Sequence, residues 1–411
     1  MKPFFKTQTL EQVHGLARQV EALESESVPL ASLLGRTLAR DFTAPHDLPG
    51  FARSTMDGYS VRGRDTFGAG EGSPGYLTLS GEVTMGEPPG FALEAGCCAR
   101  IGTGGMLPAG ADAVVMVEHT RIVDERTIEV ARSVAPGAHV LGPTDDAEKG
   151  QVLLEAGRRL RPQDVGLLAS LGASGAGVVS RPRVGIISTG DEVVPVSGSP
   201  RPGQVRDVNT HTLASQVTAA GAVPVPLGLV PDEEHAIREK VATSLDQCDL
   251  TLLSGGSSMG VRDLTVGVFL SFPGSQLLVH GVSVAPGKPF IWVRKDAHAL
   301  LGLPGQVASC MIAFHLFAEP ILERMLGREA RSFTRFVRRR AVLTRNVPGV
   351  QGRVAYQRVR VREREEGLEA EPVLGKSGLL RTLTRADGLV TVPLGCEGLD
   401  EGSVVTVLLF P

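Results

Sequence analysis

The segment Arg183–Glu192, with the sequence RVGIISTGDE, decides the fold. Its apolar run Val184–Ile187 is typical of a buried strand, and a turn of small and acidic residues follows directly. The same pattern returns at Leu250–Gly256 (LTLLSGG) and at Ala299–Gly305 (ALLGLPG). Because helix-like segments separate such runs, the sequence predicts a doubly wound α/β domain with a largely parallel sheet. The loops at the carboxyl ends of such strands form a ligand-binding crevice.

The predicted elements of this domain, residues 181–327, alternate regularly. Strands are expected near 184–188, 223–229 and 249–253, helices near 209–221, 232–246 and 263–271, and further β segments at 276–284, 290–293 and 298–302. An apolar helix over Val307–Leu326 closes the unit.

The segments before this domain have other patterns. Residues 9–23 show helical periodicity, and Thr9 with Gln12 predicts a capping box at the start of that helix. Further helices are predicted over Pro29–Leu38 and Arg161–Gly172. Short β-like runs near 76–79, 98–101, 113–117 and 127–130 predict an inserted β-rich domain over 47–140. Residues 1–46 and 141–180 are assigned together to an elongated, helical and extended domain for linking and dimerisation.

Beyond residue 327 the pattern is that of β structure again. Strands near 354–362, 368–373, 389–393 and 404–410 predict a small barrel-like domain over 328–411. The basic run Arg338–Arg340 is expected to protect a solvated strand edge, with polyanion binding as the alternative.

The composition excludes several classes of protein. A chain of 411 residues with 42% hydrophobic and 21% charged residues fits a multidomain globular protein. A formal net charge of −3 gives no general attraction to nucleic acid or to an anionic membrane. The five Cys include no Cys-x-x-Cys pair, and the nine His lack metal-ligand spacing, so no zinc site is predicted. Because we find no secretory signal and no membrane span, we expect a cytoplasmic protein.

Gly- and Ser-rich loops are the candidates for chemistry. Ser254–Gly260 (SGGSSMG) suits close approach of backbone N–H groups to an anion, and it lacks the Lys-Ser/Thr of a P-loop. Pro286–Pro289 holds Lys288, a point-charge partner for phosphate. A plain flexible loop and a surface Lys are the competing interpretations of these two features.

Acidic residues accompany these loops. Asp191 and Glu192 follow a strand, and Asp263 starts a predicted helix, so their oxygens could serve Mg²⁺ or merely cap the chain. At least one of Asp207 and Asn209 is expected to cap the helix that follows them.

Two further signatures lie in the β-rich segment. Ser54–Arg62 reads STMDGYSVR, and Gly102–Gly104 (GTG) is followed by Pro108–Val115 (PAGADAVV). Together with the STGDE, SGG, PGKPF and GLPG loops, they resemble the molybdopterin molybdenumtransferase family, which includes the enzymatic carboxyl-terminal domain of gephyrin. The matches run from Phe51 to about Gly388, and the co-occurrence of the motifs carries the resemblance.

The resemblance implies a four-domain subunit that forms a homodimer. It implies insertion of molybdate into adenylated molybdopterin with release of AMP and with Mg²⁺ as cofactor. It implies catalytic roles for Asp57, Thr103, Asp146, Glu192, Asp207, Asp263 and Lys288, of which Glu192 and Asp263 would meet the metal. Substrate binding is assigned to Gly190, Asn209, Ser254, Gly255, Gly256, Ser257, Ser258, Gly260, Pro286, Gly287, Pro304 and Gly305.

The resemblance also implies where the partners lie. Asp57 and Thr103 would face the α/β crevice of the second subunit. A molybdopterin adenylyltransferase and molybdoenzyme acceptors or chaperones are the expected protein partners, and neither nucleic acid nor a membrane is expected.

The chain departs from the family pattern inside two of its loops. Ala285 stands where the family often has the first Lys of Lys-Pro-Gly-Lys, and Gln306-Val307 replace an Asn-Pro pair. Outside these loops, Val261 stands at an often acidic position and Asp387 replaces an Asn. Two alternatives stay open: a divergent paralogue that uses tungstate or a modified pterin, and a non-catalytic molybdopterin carrier or scaffold. The retained carboxylates favour the enzyme, because a pure binding module has little use for so many negative charges near an anion.

Overall fold

The structure, a computed structural model, describes residues 7–255, 259–365 and 367–411, and of residues 259–263 it describes only the backbone. The α-helices in this part of the chain are α1 (Leu10–Ala17), α2 (Pro162–Ser170), α3 (Asn209–Ala220), α4 (Glu234–Gln247), α5 (Met259–Leu270), α6 (Val307–Ala313), α7 (Glu319–Met325) and α8 (Leu380–Thr384). None of these helices has the combined length and apolar character that crossing a membrane requires.

The central sheet has six strands. They are β1 (Arg183–Thr189), β2 (Val223–Val230), β3 (Leu250–Ser254), β4 (Ser275–His280), β5 (Ile291–Lys295) and β6 (His298–Leu303). Their order is β2-β1-β3-β6-β5-β4; the first four are parallel, and β5 runs antiparallel to both of its neighbours, β6 and β4. The largely parallel sheet is therefore confirmed. Strands β5 and β6 are antiparallel because only Asp296 and Ala297 join them, which is too short for a crossover.

Both faces of the central sheet are covered by helices. Val184, Leu252 and Leu301 belong to a core that includes side chains of α3 and α6, whereas Ile187, Leu253 and Leu300 belong to a second core with α4 and α5. This alternation follows from the two-residue period of a strand. Each fully buried aliphatic side chain contributes about 1.5–3 kcal/mol to folding.

Helix α1 and the last helix of the α/β domain differ locally from the prediction. The capping box of α1 is present, with the side chains of Thr9 and Gln12 each accepting from the other's backbone N–H. However, α1 ends at Ala17, well before residue 23. The helix predicted over 307–326 is interrupted between α6 and α7 by a π-helical segment, Phe314–Ala318.

The β-rich segment forms a six-stranded sheet of its own. In spatial order its strands are Ala113–Met116, Gly58–Val61, Cys97–Ile101, Gly75–Glu82, Thr127–Val130 and Thr120–Ile122. Its core contains the buried side chains of Val61, Leu77 and Ile128. The strand over Gly58–Val61 is central in this sheet, and it directly follows Asp57.

Short strand pairs connect the remaining segments around this sheet. They are Ser25–Pro29 with Gly175–Val179, Phe42–Thr43 with Val152–Leu154, and Arg53–Ser54 with Val140–Leu141. The helix predicted over 29–38 is wrong: only the 3₁₀ turn Leu30–Ser32 forms there. Pro29 is already committed to a strand pair, and Gly35 has φ +75°, which stops a helix from continuing. The domain boundaries stay predictions.

The carboxyl-terminal segment closes into a five-stranded barrel. Its strands follow each other in the order Val354–Arg364, Gly367–Pro372, Val337–Leu343, Val404–Leu409 and Gly388–Val392, and the last pairs back with the first. Val284–Ala285 adds to this sheet, so the strand predicted over 276–284 actually ends at His280. Arg338–Arg340 pair on one side only, with Thr406–Leu408, which confirms the predicted edge.

Candidate active site

Three of the predicted loops meet because their strands end in register. Ser188 at the end of β1 pairs with Ser254 of β3, and Ser254 pairs with Leu303 of β6. The loops that follow are in close contact: a Cβ atom on Gly255 would lie 2.2 Å from the carbonyl oxygen of Thr189. Gly255 also has φ +138°, a conformation that side chains rarely adopt. Only glycine at this position allows the two loops to approach so closely.

A buried cluster of hydroxyl groups and one carboxylate lies below these loops. Ser188 Oγ donates to Asp207 Oδ1 over 3.1 Å, and it also contacts Thr210 Oγ1 at 2.8 Å and Ser254 Oγ at 3.2 Å. Asp207 is only 7% exposed, and its Oδ1 also accepts from the backbone N–H of Thr210. The predicted capping role is therefore confirmed for Asp207, which holds the first turn of α3 against β1.

Asn209 connects the start of α3 to the Gly302–Gly305 loop. Its Nδ2 donates to the carbonyl oxygen of Gly305 over 2.8 Å, while its buried Oδ1 has no hydrogen-bond partner in the described structure. A Cβ on Gly305 would lie 3.3 Å from Gly255 Cα. Asn209, Pro304 and Gly305 thus border the same crevice as Gly255, and Asn209 keeps an acceptor free for a ligand.

Carboxylates gather on the β1 side of the crevice. The exposed Glu192 folds back over Gly190, since a Cβ there would lie 3.0 Å from Glu192 Oε2. Thr189 Oγ1 donates to Asp232 Oδ1 over 2.6 Å, and the Asp232 N–H donates to Asp191 Oδ1 over 3.1 Å. The sequence analysis missed Asp232. Its position directly after β2 could have revealed it, because β2 ends at the same edge of the sheet.

The carboxyl-terminal barrel contributes to the region around the Lys288 loop. The sequence analysis did not predict this contribution. A cavity of about 190 Å³ is lined by Ala285 and Pro286 on one side and by Arg358 and Ser377 of the barrel segment on the other. Arg358 is 8% exposed, and its desolvation lowers the pKa of the guanidinium. Nothing in the local spacing could have indicated these barrel residues, because they are distant in sequence.

The contact between the α/β domain and the barrel segment also includes Gln306, where the chain departs from the family pattern. The Gln306 side chain accepts a hydrogen bond from Ser377 Oγ, and the Ala308 N–H donates to the Ser377 carbonyl oxygen over 3.1 Å. Lys288 is half-buried, and no ion pair between described residues involves it.

Part of the predicted set lies outside the described structure. Gly256, Ser257 and Ser258 are outside the described residues, as is the side chain of Asp263, while Gly260 lies in the first turn of α5. Within the described part of the chain, no group of three or more His, Cys, Asp or Glu side chains is arranged to hold a metal ion.

Asp57 and Thr103 form a separate pair in the β-rich sheet. Asp57 Oδ1 accepts from the backbone N–H of Thr103 over 2.7 Å and from Thr103 Oγ1 over 2.9 Å. These two hydrogen bonds lower the pKa of the exposed Asp57 carboxyl. Exposed apolar side chains lie beside the pair: Met56 is 38% exposed, Met85 54% and Val117 50%.

Asp57, Thr103 and Asp146 do not join the crevice within the described chain. Asp146 is exposed, and its backbone N–H donates to the carbonyl oxygen of Leu48. No hydrogen bond between described residues connects these three side chains to the loops around Gly255. The predicted residues at the ends of β1, β3 and β6 therefore border the crevice, whereas Asp57 and Thr103 lie together in the β-rich segment and Asp146 lies beside Leu48.

The fold defines a multidomain protein organised around an α/β domain with a crevice at one edge of its sheet, and comparison with protein families identifies its class. Residues 185–324 match the family described as a probable molybdopterin binding domain. Residues 7–172 match the MoeA N-terminal region (domain I and II), and residues 340–410 match the MoeA C-terminal region (domain IV).

Comparison with individual similar proteins identifies the family to which the chain belongs. The chain is 34% identical to a molybdopterin molybdenumtransferase of Bacillus subtilis, over 94% of this chain and 90% of that protein. It is 31% identical to one from a Nostoc species, over 94% of this chain and 89% of that protein. A crystal structure of a molybdopterin biosynthesis MoeA protein from Pyrococcus horikoshii superposes with a TM-score of 0.82 at 35% identity, covering 99% of this chain and all of that one. The chain belongs to the molybdopterin molybdenumtransferase family.

Family membership confirms the predicted resemblance, the fold class and the enzyme class. It places the chain among the enzymes of molybdenum cofactor biosynthesis. The roles of the individual site residues stay predictions.

Proposed function

We propose that this enzyme inserts molybdate into adenylated molybdopterin and releases AMP in a reaction that depends on Mg²⁺. The observation that carries the proposal is the register of β1, β3 and β6, which brings the Gly190, Gly255 and Gly305 loops together at one sheet edge. Such an edge suits a phosphate group because backbone N–H groups at these loops can point toward an anion.

The charges around the crevice support cleavage of a phosphoanhydride. When water attacks one phosphorus atom, the bridging oxygen leaves with the other phosphate and negative charge develops on it. Lys288 carries a positive charge that no described carboxylate neutralises, so it can stabilise the leaving AMP. Asp207 acts differently, since its buried carboxylate holds Ser188 and the first turn of α3 in place.

Mg²⁺ fits the oxygen-rich side of the crevice. Glu192 offers an exposed carboxylate beside Gly190, and Asp263 belongs to the first turns of α5, the helix that comes after β3 in the chain. The described side chains do not surround a metal by themselves. In the proposed site, one or two carboxylates would act together with substrate phosphates and water, as is usual for Mg²⁺. When bound, Mg²⁺ would neutralise phosphate charge.

Molybdate, an oxyanion, would need positively charged side chains around it, and this chain lacks one that is common in the family. Ala285 stands at the position where a first Lys is common in the family. Arg358 borders the same cavity of about 190 Å³, and we infer that it supplies the missing positive charge for molybdate. Lys288 and Arg358 would then approach the oxyanion from the α/β domain and from the barrel.

The site is completed in a homodimer, in this proposal. Asp57 and Thr103 lie apart from the crevice of their own chain, and the apolar side chains of Met56, Met85 and Val117 are exposed around them. Exposed apolar groups of this kind mark protein interaction surfaces. Docking of this face on the crevice of a second copy would bury them and add the Asp57 carboxylate to the site.

Release of AMP from adenylated molybdopterin, measured with molybdate and Mg²⁺, tests the proposal. We expect Lys288→Ala to reduce kcat/KM by roughly 100-fold, because one charge-stabilising group is worth about 3 kcal/mol in a transition state. The matched control is Lys240→Ala, which removes a Lys from α4, outside the predicted site, and should leave the rate unchanged.

The outcomes separate the competing functions. AMP release that requires molybdate and is slowed by Lys288→Ala supports the proposal. Tight pterin binding without AMP release would show a carrier, and a reaction that proceeds with tungstate but not with molybdate would show a divergent paralogue.

A further inference from the structure

A second, larger cavity lies beside the crevice. It has a volume of about 770 Å³ and lies between α3, the α6–α7 region and the carboxyl-terminal barrel segment. Most of its walls are apolar, with Met311, Ile312, Phe314, Phe336, Leu383 and Phe410 among them. A cavity of this size and character is typical of a site for a small organic molecule.

One polar side chain in this cavity has a fixed orientation. Gln216 is 9% exposed, and its Nε2 donates to the Met311 carbonyl oxygen over 3.1 Å and contacts His315 Nε2 at 2.9 Å. His315 Nδ1 lies 2.9 Å from Glu319 Oε2, which indicates that Nδ1 carries the proton and Nε2 accepts. Both N–H groups of the Gln216 amide are therefore used.

The orientation leaves the Gln216 Oε1 atom as an acceptor without a hydrogen-bond partner among the described residues. Glu319 holds His315, and His315 in turn holds the Gln216 amide. The Glu319 carboxylate is itself fixed, because it also accepts from the N–H groups of Phe333 and Thr334 and from Thr334 Oγ1. An unsatisfied buried acceptor destabilises the structure, and a ligand with an N–H donor would offset this cost.

The cavity and the hydroxyl cluster below the crevice share Asp207 at the start of α3. Asp207, which holds the crevice cluster, also lines the cavity, as do Val208, Thr212, Gln216 and Ala219. These α3 positions recur every three or four residues and so lie on one face of the helix. From position 208 to position 219 the helix rises by roughly 16 Å, so a molecule can extend from the phosphate loops into the cavity.

We propose that this cavity binds a heteroaromatic ring of the substrate, with a ring or exocyclic N–H donating to Gln216 Oε1. The inference rests on the proposed function, because adenylated molybdopterin joins two such rings, adenine and pterin, through phosphates. An aliphatic ligand would fill the apolar walls but leave Gln216 Oε1 unpaired. A heteroaromatic ring provides both apolar faces and the required donor.

The test is equilibrium binding of two probes, AMP and free pterin, to the full chain by calorimetry or pterin fluorescence. Ala219→Trp fills the cavity, and Gln216→Leu removes the acceptor. The matched control for the first is Thr218→Trp, which adds the same bulk at an exposed position of the same helix outside the cavity. Unfolding curves confirm that each variant is folded.

We expect Ala219→Trp and Gln216→Leu to weaken binding of one probe about tenfold and the control to change neither. Weaker AMP binding would assign the cavity to adenine, and weaker pterin binding would assign it to pterin. Unchanged affinity for both probes, or no saturable binding of either in the millimolar range, would overturn the inference. Because the readout is binding, failure of AMP release would contradict the proposed function alone.

Discussion

The Asp57–Thr103 pair shows how a single exposed carboxylate can be kept charged without burial. Its two hydrogen bonds come from one residue, the first from a backbone N–H and the second from a hydroxyl group. Both donors favour the ionised form and therefore lower the pKa of Asp57. A carboxylate that stays charged at every physiological pH is suited to orienting a cation or repelling an anion before the substrate is complete.

Replacing Thr103 tests this account. We expect Thr103→Val to raise the pKa of Asp57 toward its ordinary value, and only in part, because the backbone N–H remains as a donor. Carbon-13 NMR of the Asp57 carboxyl across a pH titration measures the change directly. Thr103→Ser keeps a hydroxyl group and should leave the pKa as in the natural chain. Equal pKa values in the Val and Ser variants would show that the hydroxyl group contributes nothing.

At the scale of elements, the close approach of the loops after β1, β3 and β6 depends on glycine. Gly255 combines φ +138° with a backbone oxygen 2.2 Å from its missing Cβ, so the Gly255→Ala chain must move one of the two loops. We expect a loss of about 1–3 kcal/mol in the free energy of unfolding, measured in urea, together with weaker AMP binding.

Gly267 supplies the control for this substitution. It lies inside α5, and a Cβ there would meet nothing within 4 Å. Gly267→Ala should therefore stabilise the chain by about 0.5–1 kcal/mol through helix propensity. If Gly255→Ala and Gly267→Ala both raised or both lowered the free energy of unfolding, the close contact would not explain why glycine is required at position 255.

The sequence predicted those elements whose cause is local. The strands β1, β3 and β6 follow from short apolar runs, and the α1 capping box follows from Thr9 and Gln12. The helix predicted over 29–38 failed because its first residue, Pro29, pairs with Gly175, a partner more than a hundred residues away. Arg358 and Ser377 were missed for the same reason: their approach to Ala285 and Gln306 is a tertiary contact without a local pattern.

At the scale of the whole molecule, the candidate residues occupy two surfaces of one chain. The crevice has no described hydrogen bond to Asp57, and exposed apolar side chains surround Asp57. The proposed homodimer would reconcile these observations, because closed two-fold symmetry applies the same contact twice. Each of its two sites would then combine Asp57 of one subunit with Lys288 of the other.

Co-expression of two inactive variants distinguishes a shared site from a site within one chain. If the site is shared, mixing Asp57→Asn with Lys288→Ala in equal amounts makes half of the dimers mixed. Each mixed dimer has one site with both natural residues, so AMP release should return to about a quarter of the natural rate. Mixing the natural chain with the double variant should also give about a quarter, because only natural dimers keep an intact site. If the site instead lay within one chain, the first mixture would be inactive and the second would retain about half of the activity. The pair of mixtures therefore assigns Asp57 to its own crevice or to the partner's.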